Sequence, residues 1–314
     1  MFNTWIFSKM NRFFWKCVYR FFNRRSTIGR IINTRRVKRQ MPNVHLHKSI
    51  RHAISIFEHF DPNINILFLG SSHTVYGIAP RHFKTLQALN AGFNSGDAKL
   101  AYYIYQTLRK QWPTAPRQAV VISDDFWTTS HQTELTPEFY QAVLVKYFTE
   151  MPYDSAFLTG AHDRFVASQI NHIRDEGVSD EILCERGFVP DIPISSNANS
   201  SGEITHRVLA HVKRAFFKPT QLHYLSALKE AVEADGRQFI FLRFPVREDY
   251  LAVLDAYPKN VWEPSESVRE GSTLIDLFRM PVAAEHWADT DHFSEAGARW
   301  FTQVIESDLL KCLN

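Results

Sequence analysis

The stretch Ile66-Leu67-Phe68-Leu69-Gly70-Ser71-Ser72-His73 decides how this chain is read. Its apolar residues end a short run, 64–69, with Asp61-Pro62 before it and Gly-Ser-Ser after it. An apolar run of that length between turn residues is the pattern of a strand buried on both faces of a parallel sheet. A second short strand is expected to end near Leu89-Asn90, followed by a helix over Ala98–Gln111 that Trp112-Pro113 stops. Ala119–Ser123, 239–244 and 272–277 supply three more strand patterns. Helices are expected at 48–60, where Ile50, Ile54, Ile56 and Phe57 form the apolar set, and at Leu222–Ala234. A last helix should run from an N-cap at Ser294 to Leu310.

Strands alternating with helices imply a doubly wound α/β fold, a flavodoxin-like three-layer α/β/α sandwich around a parallel sheet. An insertion of roughly 110 residues, about 128–236, separates the third strand from the fourth. It reads as mostly helical, over 137–149, 156–175 and 206–217, with a polar loop at 195–202.

Composition sets the outer limits. The 314 residues are 45% hydrophobic and 22% charged, and Gly plus Pro total 26, which excludes low-complexity and collagen-like chains. No run reaches the ~18 uncharged apolar residues of a membrane-spanning helix. Three distant cysteines, Cys17, Cys184 and Cys312, make neither a disulfide framework nor a thiol metal site, which favours a reducing, cytoplasmic setting. His45-Leu46-His47 has ligand-like spacing but no second cluster to complete a zinc site. Neither a metal nor another cofactor is expected.

The net charge of +3 hides a division of the chain into an arm, 1–40, and a body, 41–314. The arm holds eleven Lys/Arg and no Asp or Glu, leaving 25 basic against 33 acidic groups in the body. Lys9, Arg12, Lys16, Arg20 and Arg24 recur at helical spacing, opposite Phe7, Phe14, Val18, Phe21 and Phe22. Rings on one face and cations on the other suit a helix lying on an anionic membrane surface, and Arg35, Arg36, Lys38 and Arg39 would add to that attraction. A helix docked on protein shows the same two faces. No recognised nucleic-acid motif accompanies the charge, so nucleic acid is not an expected partner.

Three segments carry chemistry. Ser72 follows the first strand at the edge where open parallel sheets bind ligands. Asp289-Thr290-Asp291-His292 places a carboxylate three residues before a histidine, ahead of the last helix. A serine hydroxyl needs a base, and the base needs a third group to fix its tautomer. Asp289 and His292 can serve those needs, with Asp291 the competing carboxylate. Between them, Asn90-Ala91-Gly92-Phe93-Asn94-Ser95-Gly96-Asp97 puts glycines after the second strand, where a backbone N–H can face a developing oxyanion.

On these residues the chain resembles the SGNH (GDSL-type) hydrolases, over about 60–127 and 237–312. The resemblance implies a nucleophile at Ser72, a base at His292 oriented by Asp289, and oxyanion donors at the Ser72 backbone and Gly96. Gly-Ser-Ser in place of Gly-Asp-Ser, with Phe241–Val246 on the later strand, is similar to the branch that includes bacterial cell-envelope and polysaccharide acyl-transfer proteins. That implies an esterase or O-acyltransferase acting on O-acyl, first O-acetyl, groups of a surface carbohydrate at the inner face of a membrane. One departure stands out. The third strand runs into Ser123-Asp124-Asp125, where the family offers an asparagine, and an ionised aspartate cannot donate to an oxyanion. The alternative is a non-catalytic scaffold of the same fold that binds glycan or assembly partners at the membrane. Arg243, His73 and Asp124 are the further candidates for substrate contacts.

Overall fold

The structure, a computed structural model, describes residues 44–94, 96–125, 128, 168, 170–172, 175, 185–189, 201–215, 221–258 and 269–313. The chain divides into two compact units, one of Met1–Ile50 with Pro137–Glu176, the other of Arg51–Thr136 with Gly177–Asn314. In the first, the described residues are the opening turns of helix α1 (Val44–Phe57) and helical positions at 168, 170–172 and 175. The basic arm, the zinc-like His45-Leu46-His47 side chains, the 137–149 helix and most of 156–175 lie outside the described residues.

The second unit carries β1 (Ile66–Leu69), α2 (Ser72–Gly77), β2 (Ala88–Asn90), α3 (Ala98–Gln111) and β3 (Ala119–Ser123). The insertion between β3 and β4 carries α4 (Ser201–Ala215) and α5 (Leu222–Ala234), and after it come β4 (Gln238–Arg243), α6 (Glu248–Leu254), β5 (Thr273–Asp276) and α7 (Glu295–Leu313). The five strands form one all-parallel sheet in the order β2-β1-β3-β4-β5. This is the flavodoxin-like winding, and its reversal of strand order falls between β1 and β3.

The strand sequences explain the layers. β1 and β3 are buried at every position, as a strand covered on both faces requires. Side chains alternate in direction along a strand. Ile66 and Phe68, Ala119 and Val121, and Ile240 and Leu242 form one face, packed with Phe301, Ile305 and Leu309 of α7. Those three α7 residues recur at helical spacing, and burying each contributes roughly 1.5–3 kcal/mol. The amphipathic helices α3 and α5 pack on each other, and α5 packs on β4. α4 and α6 form a separate cluster through Ile204, Val208, Val212, Tyr250 and Leu254.

Boundaries shift where local bonding decides them. The helix expected at 48–60 ends at Phe57, with the Glu58 N–H closing its last turn on Ile54. The polar stretch expected as a loop through 202 gives way to helix at Ser201, because Ile204, Val208 and Val212 extend the apolar period back to it. Ser294 caps α7, its Oγ accepting from the Gly297 N–H at 3.1 Å.

One buried carboxylate locks α7 to the chain before β2. Glu306 accepts backbone N–H groups of Lys84, Thr85 and Leu86 at 2.9, 2.7 and 3.2 Å, and the Thr85 hydroxyl at 2.9 Å. Stranding buried donors costs about 1–3 kcal/mol each. Glu306→Ala is expected to lower the unfolding free energy by roughly 3 kcal/mol in urea titrations, and Glu306→Gln by less, since its amide oxygen still accepts.

Candidate active site

The turn after β1 is built around Gly70. Its φ of 141° is open to glycine, and a Cβ there would overlap Ser123 Oγ at the end of β3. Ser71 is the N-cap of α2, its Oγ accepting from the His73 N–H at 3.3 Å and donating to Asp125 Oδ2 at 2.6 Å. Ser72 is thereby the first residue of α2, where a backbone N–H has no acceptor within its own helix. The buried Asn90 holds this helix from below, donating to the carbonyls of Thr74 at 2.6 Å and Ile78 at 2.8 Å. The second-strand turn is bonded to the first, the Phe93 N–H donating to the Gly70 carbonyl at 3.0 Å.

His292 arrives on a tight loop. Asp289 Oδ1 accepts the N–H groups of Asp291 and His292 at 2.9 and 2.7 Å, folding 289–292 back on itself. Asp289 Oδ2 lies 2.8 Å from His292 Nδ1, and His292 Nε2 lies 2.9 Å from Ser72 Oγ. Three side chains from two ends of the sequence thus form one line of hydrogen bonds. Burial alone would raise the Asp289 carboxyl, but the bond and charge of His292 hold it below its ordinary value. Arg247 Nη1 donates to the Asp289 carbonyl at 3.2 Å. The competing carboxylate, Asp291, keeps 3.8 Å from His292 Nδ1.

Several expected contacts take another form. Gly96 donates its N–H to the Phe93 carbonyl at 2.7 Å, so that hydrogen closes the turn instead of facing Ser72. Its need for glycine comes from packing, since a Cβ would overlap the Gly70 carbonyl. Arg243 pairs with Asp276 at 3.0 Å and lies 4.3 Å over the Phe278 ring. Asp124 pairs with Arg269 at 2.5 Å; burial, more than that pairing offsets, raises its carboxyl to about 6. His73 is 5% exposed and faces carboxylates on both sides, Asp125 at 3.1 Å from Nδ1 and Asp291 at 3.4 Å from Nε2. Each of the three expected substrate contacts therefore has a protein partner for its charge.

The sequence did not single out Arg207 or the role of Asp125, and it offered Asp291 only as a competing partner for His292. Asp291, 2% exposed, accepts from Arg207 Nε and Nη2 at 3.0 and 3.1 Å and from the Thr290 hydroxyl at 2.8 Å. His211 Nε2 lies 3.8 Å from it. Among the described residues, His73, Asp291 and His292 bring one ligand-type atom each within 4.8 Å of one another. Those atoms are already matched in charge, carboxylate against imidazole and guanidinium, and the cluster reads as an ionic network. Arg207 could not have been found from spacing, because only folding brings 207 to 291.

A cavity of about 570 Å³ lies beside the Asp289 loop, lined by Arg247, Glu248, Asp249, Ala252, Val282, Ala284 and Trp287. Trp287 also stacks on Phe293, ring centroids 4.7 Å apart. No protein-family model matches the chain, and no curated protein matches it. Among the described residues no helix is long and apolar enough to cross a membrane.

The buried charges set a pH range. Burial would lower His73, but Asp125 and Asp291 overcome it and raise the imidazole to about 10. Its contribution to stability is complete below its unfolded value of 6.5 and is lost as pH rises through about 10. Against their burial, His73 holds Asp125 below its ordinary value, and His292, His73 and Arg207 hold Asp291 well below it. These two contributions are present above about 3.9, the unfolded aspartate value, and are lost on acidification. Urea midpoints measured from pH 5 to 10 are expected to fall on the alkaline side in the wild type, with a flatter alkaline limb in His73→Gln.

Proposed function

We propose that the protein is a serine-nucleophile acyl enzyme of the SGNH type, an esterase or O-acyltransferase. The observation that carries this reading is the continuous line Ser72 Oγ–His292 Nε2 at 2.9 Å and His292 Nδ1–Asp289 Oδ2 at 2.8 Å. His292 Nε2 takes the Ser72 hydroxyl proton as Oγ attacks an ester carbonyl, and Asp289 holds the imidazole by its Nδ1–H and stabilises the imidazolium. The tetrahedral oxyanion faces the Ser72 N–H at the start of α2. The ester C–O bond then breaks, and His292 gives its proton to the departing alcohol. In the second half His292 takes a proton from water or from a sugar hydroxyl, whose oxygen attacks the acyl-Ser72 carbonyl; the ester bond to Oγ breaks and Ser72 recovers its proton.

The substrate class we favour is an O-acylated, first an O-acetylated, carbohydrate. The cavity beside Asp289 supports it: a tryptophan with an arginine and two carboxylates suits a polyol, apolar on its C–H face and hydrogen-bonding at its edges. The basic arm would hold the enzyme on the anionic inner face of a membrane where such glycans are built.

The scaffold reading keeps one observation in its favour, the Gly96 N–H spent within its own turn. A fluorophosphonate probe separates the two. Wild-type chain is expected to be labelled and Ser72→Ala not, with Asp289→Asn slowed roughly 10⁴-fold and His292→Gln at least as much. Labelling absent from wild type, or unchanged in Ser72→Ala, selects the scaffold. Turnover of nitrophenyl acetate with and without acceptor sugars then sorts hydrolysis from transfer. The arm has its own test: residues 1–40 are expected to float with liposomes containing anionic lipid and to stay behind with neutral ones.

A further inference from the structure

The ionic groups around Ser72 extend past the three residues of the proposed mechanism, and they connect its two halves. We propose that Arg207, reaching from α4, is a positioning residue of this site, acting through Asp291 and His73 to hold Ser72 and His292 in register; the inference rests on the serine-nucleophile reading.

The connection runs atom by atom. On the nucleophile side, Asp125 takes the Ser71 hydroxyl at 2.6 Å and faces His73 Nδ1 at 3.1 Å, so one carboxylate fixes the residues on both sides of Ser72. On the base side, Asp291 lies one residue before His292 and accepts the paired N–H groups of Arg207 at 3.0 and 3.1 Å. His73 joins the sides, its Nε2 lying 3.4 Å from Asp291 Oδ2 and its ring centroid 5.3 Å from that of His292. A guanidinium fork on a carboxylate fixes orientation as well as distance.

Charge explains why a cation is needed there. Asp125, Asp289 and Asp291 bring three negative charges, against the imidazolium of His73 and the guanidinium of Arg207. Asp289 is the carboxylate that faces the imidazolium His292 would become in the proposed reaction. The other polar groups facing Asp291 are the Thr290 hydroxyl and His211, whose Nδ1 lies 2.6 Å from the Tyr250 hydroxyl. Tyr76 meets His292 ring edge to face at 5.5 Å. Arg207 comes from the segment between β3 and β4, so the insertion contributes a side chain to the network around Ser72.

The test uses the full chain and the variants Arg207→Gln and Arg207→Lys, with folding checked by circular dichroism. Fluorophosphonate labelling of Arg207→Gln is expected to be at least tenfold slower, with its acid limb moved to higher pH because a neighbouring cation is gone. Arg207→Lys should keep the wild-type limb while losing part of the rate, since it restores charge without the fork. A folded Arg207→Gln protein with unchanged rate and limb overturns the proposal, as does one with only a lower melting temperature. Imidazole ¹⁵N spectra give a readout independent of reactivity. His73 is expected to be doubly protonated at pH 8, and the His292 ring signals to shift or broaden in Arg207→Gln but not in Arg207→Lys. A neutral His73, or His292 signals indifferent to Arg207→Gln, overturns it. Wild-type chain that resists labelling but shows both spectral effects retains the positioning and loses the serine-nucleophile reading instead.

Discussion

The site depends on where β1 lies. With β2 on one side and β3 on the other, all running the same way, the chain leaves the C-terminal end of β1 between two neighbours whose own connections depart to either side. That leaves a gap lined by three strand ends. Gly70 and Ser71 fill it from β1, Phe93 and Gly96 from the turn after β2, and Ser123 and Asp125 from β3. The backbone bonds across it are short in reach and leave little freedom: the Phe93 N–H meets the Gly70 carbonyl, and the Ser71 N–H meets Ser123 Oγ at 3.3 Å. Sheet register therefore fixes the orientation of the Ser72 backbone before His292 and Asp289 are brought to it.

Three carboxylates are gathered close to that gap, at a cost. Desolvation opposes the charged form of each, and an unpaired charge in such a place is worth several kcal/mol against folding. Each carboxylate meets this with donors of its own: Asp289 with two backbone N–H groups and His292, Asp125 with Ser71 and His73, Asp291 with Arg207 and Thr290. Apolar packing of equal volume could hold the elements together as firmly. It could not tell the imidazole of His292 which way to face, because apolar contacts carry no direction. Directional bonds do, and the interaction surfaces of α2, α4 and the 289–292 loop are bound by them.

Much of the sheet was legible because buried parallel strands and amphipathic helices write periodic signals. Ala98–Gln111, Ala119–Ser123 and Leu222–Ala234 have the bounds their patterns predict. Helix α4 was foreseen only from 206, since Ser201 and Gly202 look like loop until the apolar residues at 204, 208 and 212 are counted together. Ser72, Asp289 and His292 could be picked out as a set because each lies beside a readable boundary. Arg207, Asp125 and Asp291 could not be joined in the same way. Their relation depends on a helix and two loops meeting in space, and no local period records it. Gly96 shows the converse limit: a glycine after a strand invites an oxyanion role, while its position against the Gly70 carbonyl is a matter of packing.

The two unusual residues of the strand ends explain each other. An aspartate at 125 brings a negative charge to the edge where a hydrogen-bond donor would serve an oxyanion better. Ser71 hands that aspartate a hydrogen at 2.6 Å, and His73 faces it with a cation. An aspartate at 71 would instead set two carboxylates at contact distance, each repelling the other beside Ser72. A hydroxyl at 71, an imidazole at 73 and a carboxylate at 125 are thus one choice made at three positions. It turns the acid after β3 from an uncompensated buried charge into the anchor of the turn that presents Ser72.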